Sequence, residues 1–353
     1  MPTLRICLLI SILSVVTSGV WATDTDINLA PVIGILAIPS EYTEYDPSEW
    51  NYLAASYPKY IEAAGARVVP VQWDLPHDNL TQILHSLNGF LITGGSSAFA
   101  DPTNSSKLTP FGQTLEIIIN EVIKMNDNGT HFPLWGTCMG FQAIVCIIAG
   151  QSSGNYACLR QTEGFVKVSK NISLYNVSRE GGMYAELLPE VESALNNQAI
   201  TYFNAHFLVK PDIWTSNPGL TNNFTLLACT NESSGNGTLP VAIAGKKYPI
   251  FASQFHPEKP QFEWVPKQNI PHSYEAILSG QMYATFFVNE ARKNFNSFNN
   301  TGINIDSLLI GNYDIVELDT ASFNYIYFFK RAQSSPTVSI RILASSEMSI
   351  SEY

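Results

Sequence analysis

One cysteine in this sequence lies in a setting that suits nucleophilic chemistry. Cys138 occupies a Gly-x-Cys-x-Gly motif, between a short apolar run at 132–135 and an apolar helical pattern at 141–149. Glycines two residues before and after a nucleophile permit the sharp strand-to-helix turn called a nucleophile elbow. Such a turn lifts the thiol out of the sheet and places it at a helix N-terminus, which favours the thiolate. A buried structural cysteine in a glycine-rich turn is the alternative for this motif alone.

A thiolate nucleophile also needs a base that later protonates the leaving amine, and His256 is the best placed of the six histidines. It follows a predicted strand at 249–255 and precedes Pro257 and Glu258. In extended chain the side chains of residues 256 and 258 point the same way, so Glu258 is placed to orient the imidazole. Because parallel strands end at one edge of a sheet, we expect His256 to meet Cys138 there.

Acyl transfer further requires N–H groups that stabilise the developing oxyanion. The candidates are Met139, the first residue of the helix after the nucleophile, and Gly94 or Gly95, which follow a predicted strand at 89–93. A simple turn is the alternative for the two glycines. No cysteine pair has metal-ligand spacing, so neither a metal nor a cofactor is expected.

The elements expected to position these residues alternate along the first half of the chain. Strands are predicted at 31–39, 67–72, 89–93 and 132–135, and helices at 51–64, 80–87, 112–125 and 141–149. Further strands are predicted at 165–168, 224–229, 240–244 and 249–255, before a long helix at 274–294. The pattern predicts an α/β fold with three layers, in which a doubly wound, mostly parallel sheet carries the nucleophile elbow.

The N-terminus has the order of a secretory signal peptide. Arg5 precedes an apolar run at 6–16, and a small-residue cleavage site ends at Ala22. The run is shorter than the roughly 20 residues that a membrane span needs. We therefore predict a signal peptide at 1–22, one catalytic domain at 30–330 and a mobile C-terminal tail at 331–353, with no membrane span after signal removal.

Glycosylation motifs agree with passage through the secretory pathway. Asn-x-Ser/Thr occurs at Asn79, Asn104, Asn128, Asn171, Asn176, Asn223, Asn231, Asn236 and Asn299. We expect an extracellular location, or a lysosome or vacuole. The net charge of −11, with no long Lys/Arg cluster, argues against nucleic acid as a partner.

Four cysteines remain once the signal peptide is removed. Cys146 faces the middle of the predicted helix and is expected to be a core residue. A bridge between Cys158 and Cys229 is one pairing that an oxidising compartment would permit. Spacing alone leaves that pairing open.

Together these motifs resemble the class I glutamine amidotransferase-like group, and within it most closely the γ-glutamyl hydrolase family. The similar segments are 31–39, 52–71 (YLAASYPKYIEAAGARVVPV), 89–96 (GFLITGGS), 133–141, 203–206 (FNAH), 254–264 (QFHPEKPQFEW) and 282–294 (MYATFFVNEARKN). The resemblance covers 30–330 and leaves the signal peptide and the tail outside it.

The resemblance implies roles for particular residues. Cys138 would be the nucleophile and His256 the general acid and base, with Glu258 supporting it. His206 would line the cleft and bind or position the substrate, although a solitary histidine is more often a structural or surface group. The family substrate is a γ-linked glutamate chain on a folate, cut by water through a thioester.

Such a substrate is polyanionic while the chain is acidic, so local cations or N–H groups must hold its carboxylates. By position alone the candidates are Arg160, Lys167, Arg179 and Lys259. The sequence leaves open which of them serve, whether cleavage is endo or exo, and whether the protein is a homodimer.

Two other functions fit the same motifs. A glutaminase that passes ammonia to a synthase would use the same Cys138 and His256. It also needs a partner domain and a cytosolic substrate, which the signal peptide and sequons argue against. The other is a secreted binding protein on the same fold without catalysis, and the intact Cys138, His256 and Glu258 argue against it.

Overall fold

A computed structural model of the chain describes residues 27–175, 182–185, 187–232, 237–299, 301–318 and 322–332. The predicted signal peptide at 1–22 lies outside the described residues, as does the predicted tail from residue 333 onward.

The strands are β1 (Val32–Pro39), β2 (Trp50–Ala54), β3 (Arg67–Gln72), β4 (Gly89–Ile92), β5 (Leu134–Thr137), β6 (Leu159–Gln161), β7 (Val168–Lys170), β8 (Ser173–Leu174), β9 (Thr201–Phe203), β10 (Phe207–Val209), β11 (Phe224–Asn231), β12 (Thr238–Gly245), β13 (Ile250–Ser253), β14 (Ile315–Glu317) and β15 (Tyr325–Lys330). The helices are α1 (Ser56–Ala63), α2 (His77–Leu84), α3 (Pro110–Asp127), α4 (Met139–Ser153), α5 (Pro189–Asn197), α6 (Pro211–Ser216), α7 (Pro218–Asn223), α8 (Lys259–Phe262) and α9 (Tyr274–Ala291). Short 3-10 turns occupy Pro266–Gln268, Ile305–Ser307 and Ile310–Asn312.

One large sheet forms the middle of the molecule, and its centre is parallel. The central order is β3-β1-β4-β5-β13, with every neighbouring pair parallel. Antiparallel strands extend both sides, with β2, β15 and β14 on one and β12, β11 and β8 on the other. β7 with β9 and β6 with β10 form two small antiparallel sheets.

Helices cover both faces of the parallel centre. The connection from β1 to β3 crosses the sheet in one direction, and the connections from β3 through β4 and β5 to β13 cross in the other. Because such crossovers are right-handed, α1 lies on the face opposite α2, α3 and α4. Packing agrees, since α1 contacts α8 and α9 whereas α3 contacts α2 and α4. The predicted fold class is therefore confirmed.

The burial pattern explains why these segments became central strands. All residues of β4, β5 and β13 are buried, as are seven of the eight in β1. Short strands that are apolar on both sides suit a parallel sheet covered on both faces. Helix α4 is buried from Met139 to Gly150, so it lies in the interior with its N-terminus at the sheet edge.

Two element predictions were wrong in part. The helix predicted at 51–64 is divided into strand β2 and helix α1, because β2 pairs with β1 and with β15 from the far end of the chain. Those pairings are invisible in local spacing. The strand predicted at 165–168 lies instead at Val168–Lys170, since the backbone of Lys167 has φ 52° and cannot continue an extended chain.

The cysteine pairing also differs from the one considered above. A disulfide joins Cys146 to Cys158, whose Cα atoms are 5.4 Å apart. A bridge between Cys158 and Cys229 is therefore wrong, because the chain after α4 folds back onto that helix while Cys229 lies in β11. Cys229 is a buried free thiol within hydrogen-bond distance of Tyr175 Oη, at 3.0 Å.

The sequon asparagines that the structure describes are largely at the surface. Asn79 is half-buried, and the exposed ones are Asn104, Asn128, Asn171, Asn223, Asn231 and Asn299. Asn176 and Asn236 lie outside the described residues. Within the described ranges, no helix has the length and apolar character to cross a membrane.

Candidate active site

The nucleophile elbow is present as a strained turn. β5 ends at Thr137 and α4 begins at Met139, so Cys138 alone forms the junction. Its backbone has φ 54° and ψ −104°, a conformation that costs a non-glycine residue about 1–3 kcal/mol. Its N–H donates to the carbonyl of Ser253 at 2.8 Å, which ties the turn to the end of β13.

The two glycines of the motif are explained by close packing of α4 on the sheet. A Cβ on Gly136 would lie 2.7 Å from the carbonyl carbon of Gly140. A Cβ on Gly140 would contact the backbone carbonyl of Ile92 in β4. Neither position has room for a side chain, so glycine allows the first turn of α4 to sit against the strands.

The other half of the site follows β13, the parallel neighbour of β5. Thr137 and Ser253 are paired in register, so both strands end at the same level. His256 lies three residues beyond, where its N–H donates to the carbonyl of Tyr202 at 2.9 Å. Its Nδ1 is 2.7 Å from Oε1 of Glu258, and the thiol of Cys138 lies close enough to the ring to raise the pKa of His256. The three predicted residues are thus brought together.

Burial gives this arrangement its electrostatic character. His256 is 4% exposed and Glu258 is fully buried. Desolvation alone would lower the pKa of His256, but the charges of Glu258 and Cys138 outweigh it and raise the pKa to about 9. His256 is therefore protonated at neutral pH and is poised to donate a proton.

The Gly94-Gly95 loop covers the other side of the thiol. A Cβ on Gly94 would lie 2.9 Å from Cε1 of His256, 2.9 Å from Oη of Tyr57 and 3.2 Å from Cβ of Cys138. Its N–H donates to Tyr57 Oη at 2.8 Å. Among the described residues, none accepts a hydrogen bond from the N–H of Gly95. The N–H of Met139 has no partner within its own helix, because it belongs to the first turn.

Two buried tyrosines beside the site escaped the sequence reasoning. Tyr57 in α1 reaches Gly94 as described, and burial raises its pKa well above the usual value. The ring of Tyr202 lies 6.0 Å from that of His256, and its hydroxyl donates to Gln268 at 2.6 Å. Nothing in the local sequence marks either residue, since both reach the site through packing of distant elements.

His206 is exposed in the connection between β9 and β10. That connection is anchored near the elbow, because Gln142 in the first turn of α4 donates through Nε2 to the carbonyl of Phe207 at 2.7 Å. The carbonyl of His206 accepts from Thr162 N–H at 2.9 Å. Its role in substrate binding stays a prediction.

The other basic candidates differ in environment. Lys259 is 1% exposed, donates to the carbonyl of Ser322 at 3.1 Å, and has its pKa lowered by burial. Arg160 is neutralised by a two-pronged pair with Glu232, at 2.8 and 3.0 Å. Lys167 is exposed, and Arg179 lies outside the described residues. Within those residues no group of His, Cys, Asp and Glu could hold a metal.

The fold and the family comparisons define a cysteine hydrolase on a doubly wound α/β scaffold. The family model for peptidase C26 matches residues 31–217, and the chain belongs to that family. The chain is 35% identical to γ-glutamyl hydrolase B of Dictyostelium discoideum, over 88% of this chain and 86% of the relative. It is 34% identical to the probable γ-glutamyl hydrolase 3 of Arabidopsis thaliana, over 78% and 77%.

The γ-glutamyl hydrolase of Homo sapiens is 30% identical, over 85% of this chain and 89% of the relative. Among solved structures, the glutaminase domain of Trypanosoma brucei CTPS with bound acivicin matches 75% of this chain and 95% of that one. Its TM-score is 0.47 and its identity to this chain is 13%.

Proposed function

We propose that this protein hydrolyses the γ-glutamyl amide bonds of folate poly-γ-glutamates, with Cys138 as the nucleophile. The observation that carries the proposal is the meeting of three groups at one edge of the sheet, where the His256 ring lies 2.7 Å from the Glu258 carboxylate and beside the Cys138 thiol. The names of the relatives support the γ-glutamyl acyl group. The folate portion rests on the family resemblance.

In the first half of the reaction, the Cys138 thiolate attacks the carbonyl carbon of the γ-glutamyl amide. The negative charge moves to the carbonyl oxygen, where the N–H groups of Met139 and Gly95 are the candidate donors. The protonated His256 gives its proton to the leaving nitrogen, the C–N bond breaks, and a thioester remains on the cysteine.

In the second half, water replaces the departed amine. Neutral His256 takes a proton from that water as its oxygen attacks the thioester carbonyl. The C–S bond then breaks, and the thiolate–imidazolium pair is restored. Throughout, Glu258 keeps the Nδ1 proton of His256 in place, so that Nε2 faces the reacting atoms.

The N–H of Gly94 is the weaker oxyanion candidate of the two glycines, because it already donates to Tyr57. Gly94 has a steric task instead, since any side chain there would displace His256 or Cys138. We propose that the Gly94-Gly95 loop forms the wall of the oxyanion site and that Gly95 supplies its donor.

We also propose that the protein works in the secretory pathway, outside the cell, or in a lysosome or vacuole. The order of residues 1–22 and the exposure of six sequon asparagines support this location. Such a compartment favours water as the acyl acceptor, because ammonia transfer needs a partner synthase. A single catalytic domain at 30–330 and a homodimeric assembly remain part of the proposal.

The test is product analysis of a pteroyl-tri-γ-glutamate and of free glutamine, at acidic and neutral pH. Cys138→Ala should lower hydrolysis of the oligomer by at least about 10⁴-fold, because it removes the atom that forms the covalent intermediate. Cys229→Ala is the matched control, since Cys229 is also a buried free thiol but lies in β11 away from the elbow.

Three results would count against the proposal. Hydrolysis of the oligomer at an unchanged rate by Cys138→Ala would exclude the mechanism. Turnover of free glutamine without activity on the oligomer would favour a glutaminase. A folded wild-type protein inert toward both substrates, with a thiol that resists alkylation, would favour a binding protein.

A further inference from the structure

We propose that Lys167 and Lys267, named here the lysine rim, bind the α-carboxylates of the more distant residues of a γ-linked glutamate chain. The inference rests on the proposed function and adds to it a subsite that selects for chain length. It comes from a strained, cross-linked segment beside His256, which the catalytic arrangement does not itself require.

Lys167 is linked to His256 through one strand, β9. β7 and β9 are antiparallel, with Val168 opposite Phe203. The preceding strand residue in β9, Tyr202, accepts the N–H of His256. Lys167 therefore flanks the segment that runs from Phe203 to His206, on the side of the molecule where the acyl chemistry takes place.

The backbone at Lys167 is built to present its side chain to solvent. In a regular strand, residues 165 and 167 would face the same way. Phe165 is fully buried, yet Lys167 is exposed, and Val168 returns to the pairing strand. The left-handed backbone of Lys167, with φ 52°, causes this break in alternation. A lysine tolerates that conformation poorly, and strain of this kind concentrates at binding and catalytic sites.

A second residue with a left-handed backbone joins the two parts of the rim. Asn269 also has a left-handed backbone, with φ 55°, and its Nδ2 donates to the carbonyl of Lys167 at 3.1 Å. Ser169 Oγ donates back to the carbonyl of Asn269 at 3.1 Å. The adjacent Gln268 accepts from the Tyr202 hydroxyl. The exposed Lys267 is thereby tied through its neighbours to Lys167 and to β9, whose Tyr202 carbonyl accepts the N–H of His256.

The two rim lysines differ in pairing from several other basic residues of this acidic chain. Arg160, Lys247, Lys293 and Lys330 each form an ion pair with a carboxylate. Neither rim lysine forms an ion pair with a described residue. Two further charges belong to β7 and the loop before it: Glu163 is exposed, and Lys170 lies over the Phe165 ring, 4.5 Å from its centroid.

These features match the chemistry of a poly-γ-glutamate. Each γ-linked residue keeps a free α-carboxylate, so a longer chain brings more negative charge toward a protein with a net charge of −11. Two flexible ammonium groups beside the cleft offset that repulsion locally. The positions of the α-carboxylates differ between substrates of different chain length. Lysine suits such a substrate, because its flexible side chain binds as an adaptable point charge.

The experiment compares pteroyl-penta-γ-glutamate with pteroyl-di-γ-glutamate in Lys167→Gln, Lys267→Gln and the double variant. Each substitution should lower kcat/KM for the pentaglutamate about threefold, and the pair about tenfold, with the diglutamate nearly unchanged. Added salt should reduce the preference of the wild type for the longer chain. Lys124→Gln is the control, because Lys124 is exposed near the end of α3, at the opposite edge of the sheet.

The proposal is overturned if the double variant keeps the wild-type ratio between the two substrates, whether both rates stay unchanged or both fall together. Binding of the pentaglutamate to Cys138→Ala, with and without the rim substitutions, separates the two proposals. If the wild type cleaves neither substrate but Cys138→Ala binds the longer one through the rim, only the proposed function fails. Equal binding with and without the rim lysines defeats the rim itself.

Discussion

The two edges of the parallel sheet differ: a cavity lies at the amino edge, whereas the candidate catalytic residues lie at the carboxyl edge. The amino edge holds a cavity of about 330 Å³. Its lining consists of Ile123, Ile148, Gln151, Ser152, Gly219, Asn223, Phe224, Gly245, Tyr248 and Ile250. None of these is a carboxylate, histidine, thiol or cationic side chain. The carboxyl edge instead brings Cys138, His256 and Glu258 together, with Cys138 on a strained backbone.

Chain direction accounts for the difference. Each central strand points its carboxyl end toward the same edge, and after β5 the chain turns there and enters α4. Helix α4 therefore presents its N-terminus, with unpaired N–H groups, to the thiol of Cys138, and its C-terminus to the cavity. An oxyanion is stabilised at the first end and not at the second. The side chains and N–H groups that meet at the carboxyl edge indicate the candidate active site better than the volume of the cavity does.

The largest expected effect on kcat comes from comparing substitutions in two similar His–carboxylate pairs. His256 is buried and lies 2.7 Å from Glu258, whereas His131 is one-third exposed and lies 2.9 Å from Glu290. His256→Asn should lower kcat for a γ-glutamyl oligomer by about 10³-fold, because it removes the proton donor of the leaving group. His131→Asn should leave kcat within about twofold. Similar losses in both variants would show that the pairs act only on folding.

An intermediate effect is expected from packing at the elbow. Gly140→Ala places a Cβ against the carbonyl of Ile92, so α4 must shift away from the sheet. We expect the free energy of unfolding to fall by about 1–3 kcal/mol and kcat to fall at least about tenfold. Denaturant unfolding and steady-state kinetics measure both quantities.

Gly311→Ala is the control for that substitution, because a Cβ on Gly311 would meet no atom within 4 Å. Its unfolding free energy should change by less than about 1 kcal/mol, with kcat unchanged. A Gly140→Ala protein as stable and active as this control would mean that the elbow tolerates a wider separation of α4 from the strands.

The smallest expected effect is a change in the titration of His256, followed by NMR of isotope-labelled histidine. The wild-type pKa is raised from 6.5 to about 9, so protonation of His256 stabilises the folded state. That contribution is fully present below pH 6.5 and is lost as the pH rises through about 9. Cys138→Ala and Glu258→Gln each remove a group that raises this pKa, so His256 should titrate at lower pH in both variants.

The lower pKa of His256 in these variants should also change how the stability of the folded state depends on pH. In Glu258→Gln, the loss of His256-linked stability on raising the pH should begin at lower pH than in the wild type. An unchanged His256 titration in both variants would show that neither group sets its protonation state.

Much of the site was predictable because it is encoded by short-range rules. Gly-x-Cys-x-Gly between a strand and a helix specifies an elbow, and alternation along extended chain places residues 256 and 258 on one side. Buried parallel strands are also recognisable from continuous apolar runs, which is why β1, β3 and β4 were predicted closely. The meeting of Cys138 with His256 followed from the common edge at which parallel strands end.

Tertiary structure decided what depends on contacts between distant segments. β2 is a strand because β15 pairs with it from residues 325–330, and this overrides the helical spacing at 51–64. Cys146 rather than Cys229 reaches Cys158, and Tyr57 reaches Gly94 only when α1 packs on the sheet. The strained backbone of Lys167, likewise, is fastened by Asn269 far along the chain. Sequence by itself identified the candidate reacting groups and their local geometry. Packing decided the walls around them, because those contacts join residues separated by tens to hundreds of positions.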